Sequence, residues 1–181
     1  GQWVDAIDTS AESKLIAFSA GKTVSVIDAT DSFFRRDFVH ERTVSGVAFD
    51  PKGRRIAAST YGGAALWFAR IAQQKPTKLA WAGSHTGVAF SPDGAFVVTT
   101  MQESALHGWK LDGKSTDARH MRMTGYPAKV KSLSWSPKGK WLASSGAPAA
   151  IVWPFSGKDG PMGKAPLELG TRANILVTQV A

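Results

Sequence analysis

Short runs of alternating or β-branched apolar residues recur along the chain, each bounded by Gly, Pro, Ser, Asp or Lys. No window carries its apolar residues at a helical spacing, so the pattern predicts many short strands and almost no helix. Three of the runs are copies of one another. Val44 begins VSGVAFDPKGRRIAAST, His85 begins HTGVAFSPDGAFVVTT and Val130 begins VKSLSWSPKGKWLASS. Their turns, Asp50-Pro51-Lys52-Gly53, Ser91-Pro92-Asp93-Gly94 and Ser136-Pro137-Lys138-Gly139, lie 41 and 45 residues apart. Proline presets φ at the second turn position and glycine tolerates the positive φ that closes a tight hairpin. Further on in each copy stands a tryptophan, Trp67, Trp109 and Trp153, at spacings of 42 and 44. The first forty residues form a weaker copy. Trp3 to Asp8, Lys14 to Ala20 and Thr23 to Asp28 read as its strands, with Ile27 in the tryptophan slot. Each unit therefore offers four strands; in the second they are expected near Val44–Phe49, Arg54–Thr60, Ala64–Phe68 and Thr77–Ala82.

At 181 residues the chain holds about four repeats of roughly forty residues. Hydrophobic residues at 43% and charged residues at 20% are those of a globular chain, not a disordered one. The apolar runs, such as Ala147 to Trp153, are too short to span a bilayer. A basic stretch leading into an apolar one is not seen at the start, and the expected location is cytoplasmic. Cysteine is absent, which excludes disulfides, thiolate zinc sites and a cysteine nucleophile.

Four antiparallel strands per ~42 residues is the pattern of a β-propeller. The residues themselves resemble the WD40-repeat family across nearly the whole chain. The likeness rests on V-x-x-V-x-F/W, then D/S-P-x-G, then a small-residue strand (Ala57-Ala58-Ser59; Leu142-Ala143-Ser144-Ser145), then the third-strand tryptophan. The repeats are degenerate, in the manner of a bacterial-type member. Phe68, Lys110 and Pro154 follow the tryptophans where the family favours Asp, and Tyr61, Glu103 and Ala147 hold its turn-Asp position. Its Gly-His pair falls on Val39-His40, Gly83-Ser84, Gly125-Tyr126 and Gly170-Thr171. The resemblance thus implies that the family's buried Asp–His–Ser–Trp hydrogen-bond network is largely missing and that packing holds the blades together. The fold expected is an all-β propeller segment of four four-stranded antiparallel blades, near 1–40, 41–83, 84–125 and 126–171. The first strand of a fifth follows at 172–181, making the segment half of a seven- or eight-bladed ring. An open stack would leave Ile7, Ile16, Ile151 and Trp153 on bare flanks and Ile175–Val180 as an unpaired strand.

Catalytic chemistry finds no anchor in this sequence. Six of the seven tryptophans read as packing residues; Trp81, in an outermost strand, is left open. His40, His85, His107 and His120 lack metal-ligand spacing, and His40 sits where the family has a hydrogen-bonding His. Gly157 to Lys164 fails as a phosphate loop, because Lys158 and Ala165 stand where a Walker loop needs Gly and Ser or Thr. No enzyme, metal, cofactor or small-molecule substrate is expected. Charge is more informative: 22 Lys and Arg against 14 Asp and Glu give +8. Much of the excess is assigned to one face, on Lys52, Arg54, Arg55, Lys110, Lys114, Lys138, Lys140, Lys158 and Lys164, together with Lys75 and Lys78. By resemblance, a protein partner would meet the opposite face at Arg42, Tyr61, Gln102, Glu103, Tyr126 and Arg172. The function expected is a non-catalytic protein-interaction scaffold, its ring closed by a complementary propeller fragment or a second copy. The alternative is a binder of nucleic acid or an acidic membrane surface through the basic turns.

Overall fold

Three of the four repeats bend the chain with the same bond. Gly53 N donates to Asp50 O, Gly94 N to Ser91 O and Gly139 N to Ser136 O, each at 2.8 Å. The three glycines have φ of 61°, 70° and 66°, the left-handed region the tight turn requires. Lacking that glycine, the first repeat bends with Ser13 N on Ser10 Oγ at 3.3 Å and takes its positive φ at Lys14. A second bond recurs in all four repeats and closes the hairpin of the middle strands. Ala29 N reaches Lys14 O, Ala69 N reaches Arg54 O, Leu111 N reaches Ala95 O and Phe155 N reaches Lys140 O, at 2.7–2.9 Å.

The computed structural model describes residues 3–111, 120–170 and 175–181. The first sheet has the order β1 (Ala6–Ser10), β2 (Leu15–Ala20), β3 (Thr23–Asp28) and β4 (Arg35–Val39). The last has β11 (Leu133–Trp135), β12 (Trp141–Ser144), β13 (Ala150–Pro154) and β14 (Leu167–Leu169). Between them, β5 (Gly46–Phe49), β6 (Arg55–Phe68), β7 (Thr77–Phe90), β8 (Phe96–Met101), β9 (Ala105–Lys110) and β10 (His120–Met123) form one antiparallel sheet in the order β10-β9-β8-β7-β6-β5. Its six members do the work of eight strands. The ends of β6 lie side by side through the Ala69–Arg54 bond, so β6 turns back on itself at Gly62 and Gly63. β7 pairs with β6 through Leu79 and Ala80, and with β8 through Val88 to Phe90. A contact of Tyr61 with Ser84 in the ladder joins the two units. The result is four four-stranded antiparallel units side by side, not closed into a ring, with no helix among the described residues.

Apolar residues on facing strands make three cores, one at each seam. Leu15, Val24, Val26 and Phe38 meet Val47, Ile56 and Trp67 at the first. Leu66 and Leu79 meet Phe90, Val97 and Trp109 at the second, and Phe96, Leu106 and Met121 meet Leu142, Ile151 and Trp153 at the third. This corrects one expectation: Ile151 and Trp153 face the third unit, because strand alternation turns them inward, and do not line an open flank. Ile7 does stand bare, at 66% exposure. Trp3 and Trp141, expected as packing residues, are exposed, whereas Trp67, Trp109 and Trp153 are buried. The stretch expected as an orphan strand is not extended in a ladder. Its Val177 N instead donates to Ala147 O at 2.9 Å, as Val44 N does to Gly21 O at 2.8 Å, and Val180 N meets Ser132 Oγ.

Across the first seam, Arg70 ties the second unit to the first. Its guanidinium meets Asp28 Oδ2 at 2.6 Å and Ser13 O at 3.1 Å, and lies over the Phe34 ring. That guanidinium, with the Thr30 backbone and hydroxyl donors, holds the Asp28 carboxyl well below the usual carboxylate range.

Candidate functional site

The loops that pass from one unit to the next carry a polar network that packing alone would not provide. Trp67 Nε1 donates to His40 Nε2 at 3.1 Å. His40 Nδ1, which must then hold the ring proton, faces Phe38 O at 3.1 Å. In the fourth unit Trp153 Nε1 donates to Tyr126 OH at 2.6 Å, Tyr126 OH pairs with Ser144 Oγ at 2.6 Å, and Ser144 Oγ donates to Ile151 O. In the third, His85 Nδ1 pairs with Thr99 Oγ1 at 2.7 Å and Nε2 with Trp81 O at 3.1 Å. The expectation that this network is largely missing is therefore corrected in part: three units keep a piece of it, none of the pieces with an Asp. His85 takes the His role one residue later than the repeat pattern places it, and a phenol replaces the imidazole at Tyr126. Among the described residues the first unit, with Ile27 in the tryptophan slot, shows no such link, and Ser19 Oγ there and Ser59 Oγ in the second unit are buried without a partner.

Tyr126 is consequently buried and bonded on both sides of its hydroxyl, not a surface contact as expected. Burial pushes its hydroxyl pKa up. Arg172 and Lys114 lie outside the described residues. The other four expected contacts are exposed. Arg42 and Tyr61 line a groove of about 490 Å³ between the end of β4 and the outer half of the second unit. Its floor includes Trp67 and His40, its walls Val39, Lys78 and Leu79, and Gly62 and Gly63 leave its turn wall without side chains. Val39 is 70% exposed and Tyr61 64%, large apolar surface at a loop rim. Lys78 Nζ meets Glu41 Oε1 at 3.2 Å beside it. Tyr61 pairs with Ser84, whose N donates to Glu103 Oε1 at 3.1 Å and whose O accepts from Gln102 N at 2.9 Å. Arg42, Tyr61, Gln102 and Glu103 thus form a continuous strip hinged on Ser84. Val39, Glu41 and Lys78 were missed as members of this site; the Gly62-Gly63 pair after Tyr61 was the signal available for it.

The basic face is less free than its composition suggests. Arg55 is half-buried, bonded to Asp50 Oδ2 at 3.3 Å and lying over the Phe90 ring. Lys164 Nζ donates to the carbonyl oxygens of Ser156 and Gly160. Lys78 joins the groove on the other side. Lys52, Arg54, Lys138, Lys140 and Lys158 are exposed and Lys110 is half-buried. Among the described residues no group of three or more His, Asp or Glu side chains is arranged to hold a metal ion. No helix among them is long and apolar enough to cross a membrane.

Residues 119–153, which run from β10 through the third-strand tryptophan of the last unit, match the family model described as WD domain, G-beta repeat. WD repeat-containing protein 55 of Homo sapiens is 27% identical over 131 residues, 70% of this chain and 33% of that protein. WD repeat-containing protein 1-B of Xenopus laevis is 37% identical over 79 residues, 42% of this chain and 12% of its own length. The transcriptional corepressor LEUNIG_HOMOLOG of Arabidopsis thaliana is 24% identical over 150 residues, 81% of this chain and 18% of its own. The chain therefore spans a third or less of each of these relatives, and all three are eukaryotic, which gives the bacterial-type expectation no support. With the turn ladder, the four repeated hairpin closures and the His–Trp and Tyr–Trp links already described, these matches carry one conclusion: residues 119–153 form a WD40 repeat, and most of the chain is similar to WD-repeat proteins.

Proposed function

We propose that this chain is a non-catalytic scaffold that binds a protein partner along the strip Arg42–Tyr61–Gln102–Glu103. The observation that carries the reading is the groove beside Tyr61, where exposed apolar side chains sit on a rigid frame of paired strands. One relative is named a transcriptional corepressor and the others are named for their WD repeats; a partner-binding role agrees with those names. The test is quantitative affinity capture from the source cell extract. Tyr61→Ala combined with Arg42→Glu should lose partners that the wild-type chain retains, while Lys138→Glu with Lys140→Glu should keep them. Loss with the second pair instead, together with steep weakening by salt, would favour the anionic-surface reading.

A complementary propeller fragment, or failing that a second copy, is proposed to cover the outer face of the first sheet. Ile7 stands exposed there opposite Phe18, and Ile16 lies opposite Ile27. Sedimentation of the isolated chain measures this directly. Self-association that Ile7→Asp abolishes is expected for the isolated chain; a sharp-melting monomer would remove the case.

A further inference from the structure

The seam between the second and third units holds a row of imidazoles and indoles that the interaction strip does not use. His107, on β9, is fully buried, and neither of its ring nitrogens has a hydrogen-bond partner. Trp81 from β7 stacks on it with ring centres 4.1 Å apart, and Trp109 packs edge-on at 4.7 Å. His120 from β10, exposed at the rim, stacks on it at 5.4 Å; His85 from β7 stands perpendicular at 6.4 Å on the inner side. We propose that this seam is an acid-operated joint whose trigger is His107: taking up a proton there displaces the ring from Trp81 and loosens β7 from β9.

The reason lies in what surrounds each imidazole. Trp81 O can only accept, so His85 Nε2 carries the proton of the neutral ring and Nδ1 receives the Thr99 hydroxyl proton. A second proton on His85 breaks no hydrogen bond, although burial still disfavours it. Nδ1–H then donates to Thr99 Oγ1, whose hydroxyl turns to His107 O at 3.1 Å. His107 has no such outlet. β10 presents His120 and Arg122 to it, β7 presents His85, and β8 presents uncharged Thr99. Glu103, in the turn after β8, acts on His85. Burial first, then the His120, His85 and Arg122 charges, hold the His107 pKa down to about 3. Because the folded value lies below the ordinary 6.5, the unfolded chain binds the extra proton between those values. Stability therefore falls as pH drops through 6.5 and goes on falling until about 3.

Urea unfolding at pH 7.5 and pH 5.0 of the wild type and His107→Phe tests the joint, since phenylalanine keeps the stack and cannot titrate. The wild-type folding constant should fall about 30-fold more than that of the variant over this interval. A residual slope from His40 and His85, both also lowered by burial, is common to the two proteins. Native-state hydrogen exchange locates the effect: protection should be lost first in β9 and the first half of β7, around Trp81, with β13 retaining its own. The His107 ring resonance supplies a readout that needs no variant, and should stay neutral in the folded protein down to pH 4.5. Equal pH slopes in the two proteins, uniform loss of protection, or a His107 ring titrating near 6.5 would each overturn the proposal.

Discussion

Trp109→Ala should lower unfolding free energy by about 3–5 kcal/mol, the range for deleting a large buried aromatic side chain. Trp109 is 2% exposed and belongs to the core between the second and third units. It also packs against both His85 and His107, at ring-centre distances of 5.7 and 4.7 Å. Removing it leaves a cavity bounded by strands of two different units, which cannot collapse without moving one unit against the other. Glu103→Ala is the comparison. Its carboxylate accepts one bond from Ser84 N at an exposed turn, so about 1 kcal/mol or less is expected. Chemical denaturation at neutral pH ranks the two; a larger loss for Glu103→Ala would mean that the turn, not the seam, holds the third unit together.

The repeat was legible because it is written in residues with a local job. Pro and Gly at the turns fix backbone angles wherever they occur, so Asp50 to Gly53 and its two copies announced their hairpins without any tertiary context. β3 matches its expected bounds, Thr23 to Asp28, for the same reason: Gly21 and Lys22 turn the chain just before it. What stayed hidden depends on contacts made across forty residues. The identity of the residue that meets each tryptophan is not set by its slot, since a phenol at Tyr126 reaches Trp153 Nε1 as well as an imidazole at His40 reaches Trp67. The direction a strand residue faces fixed the fate of Ile151 and Trp153, and alternation alone does not say which neighbour lies on which side. The strip of Arg42, Tyr61, Gln102 and Glu103 was placed by resemblance. Its continuity through Ser84 is a product of the Tyr61 pairing that bulges β6 against β7, which no spacing in the sequence encodes.

Gly63→Ala should be the most damaging single change at the groove. Gly63 has φ of 133°, where a side chain is strained, and a Cβ built there overlaps the Leu79 carbonyl oxygen and stands 3.1 Å from Ala80 Cα. The obstacle is backbone of the paired strand, not the end of a flexible side chain, so relief requires breaking the Gly63–Ala80 and Ala64–Leu79 register. Strain at such a position costs about 1–3 kcal/mol and overpacking a similar amount again. A loss of about 3–5 kcal/mol follows from the two together. Gly62→Ala separates these contributions. Its φ is 91°, but a Cβ there meets nothing within 4 Å, so only the backbone term of about 1–2 kcal/mol applies. Thermal melts of the two variants should therefore differ, with Gly63→Ala much the lower. Because Leu79 and Lys78 form the wall displaced by the first change and untouched by the second, partner capture should fail in Gly63→Ala even where the protein remains folded. Equal melting of the two would show that the groove wall yields freely and is not the rigid surface a docking partner needs.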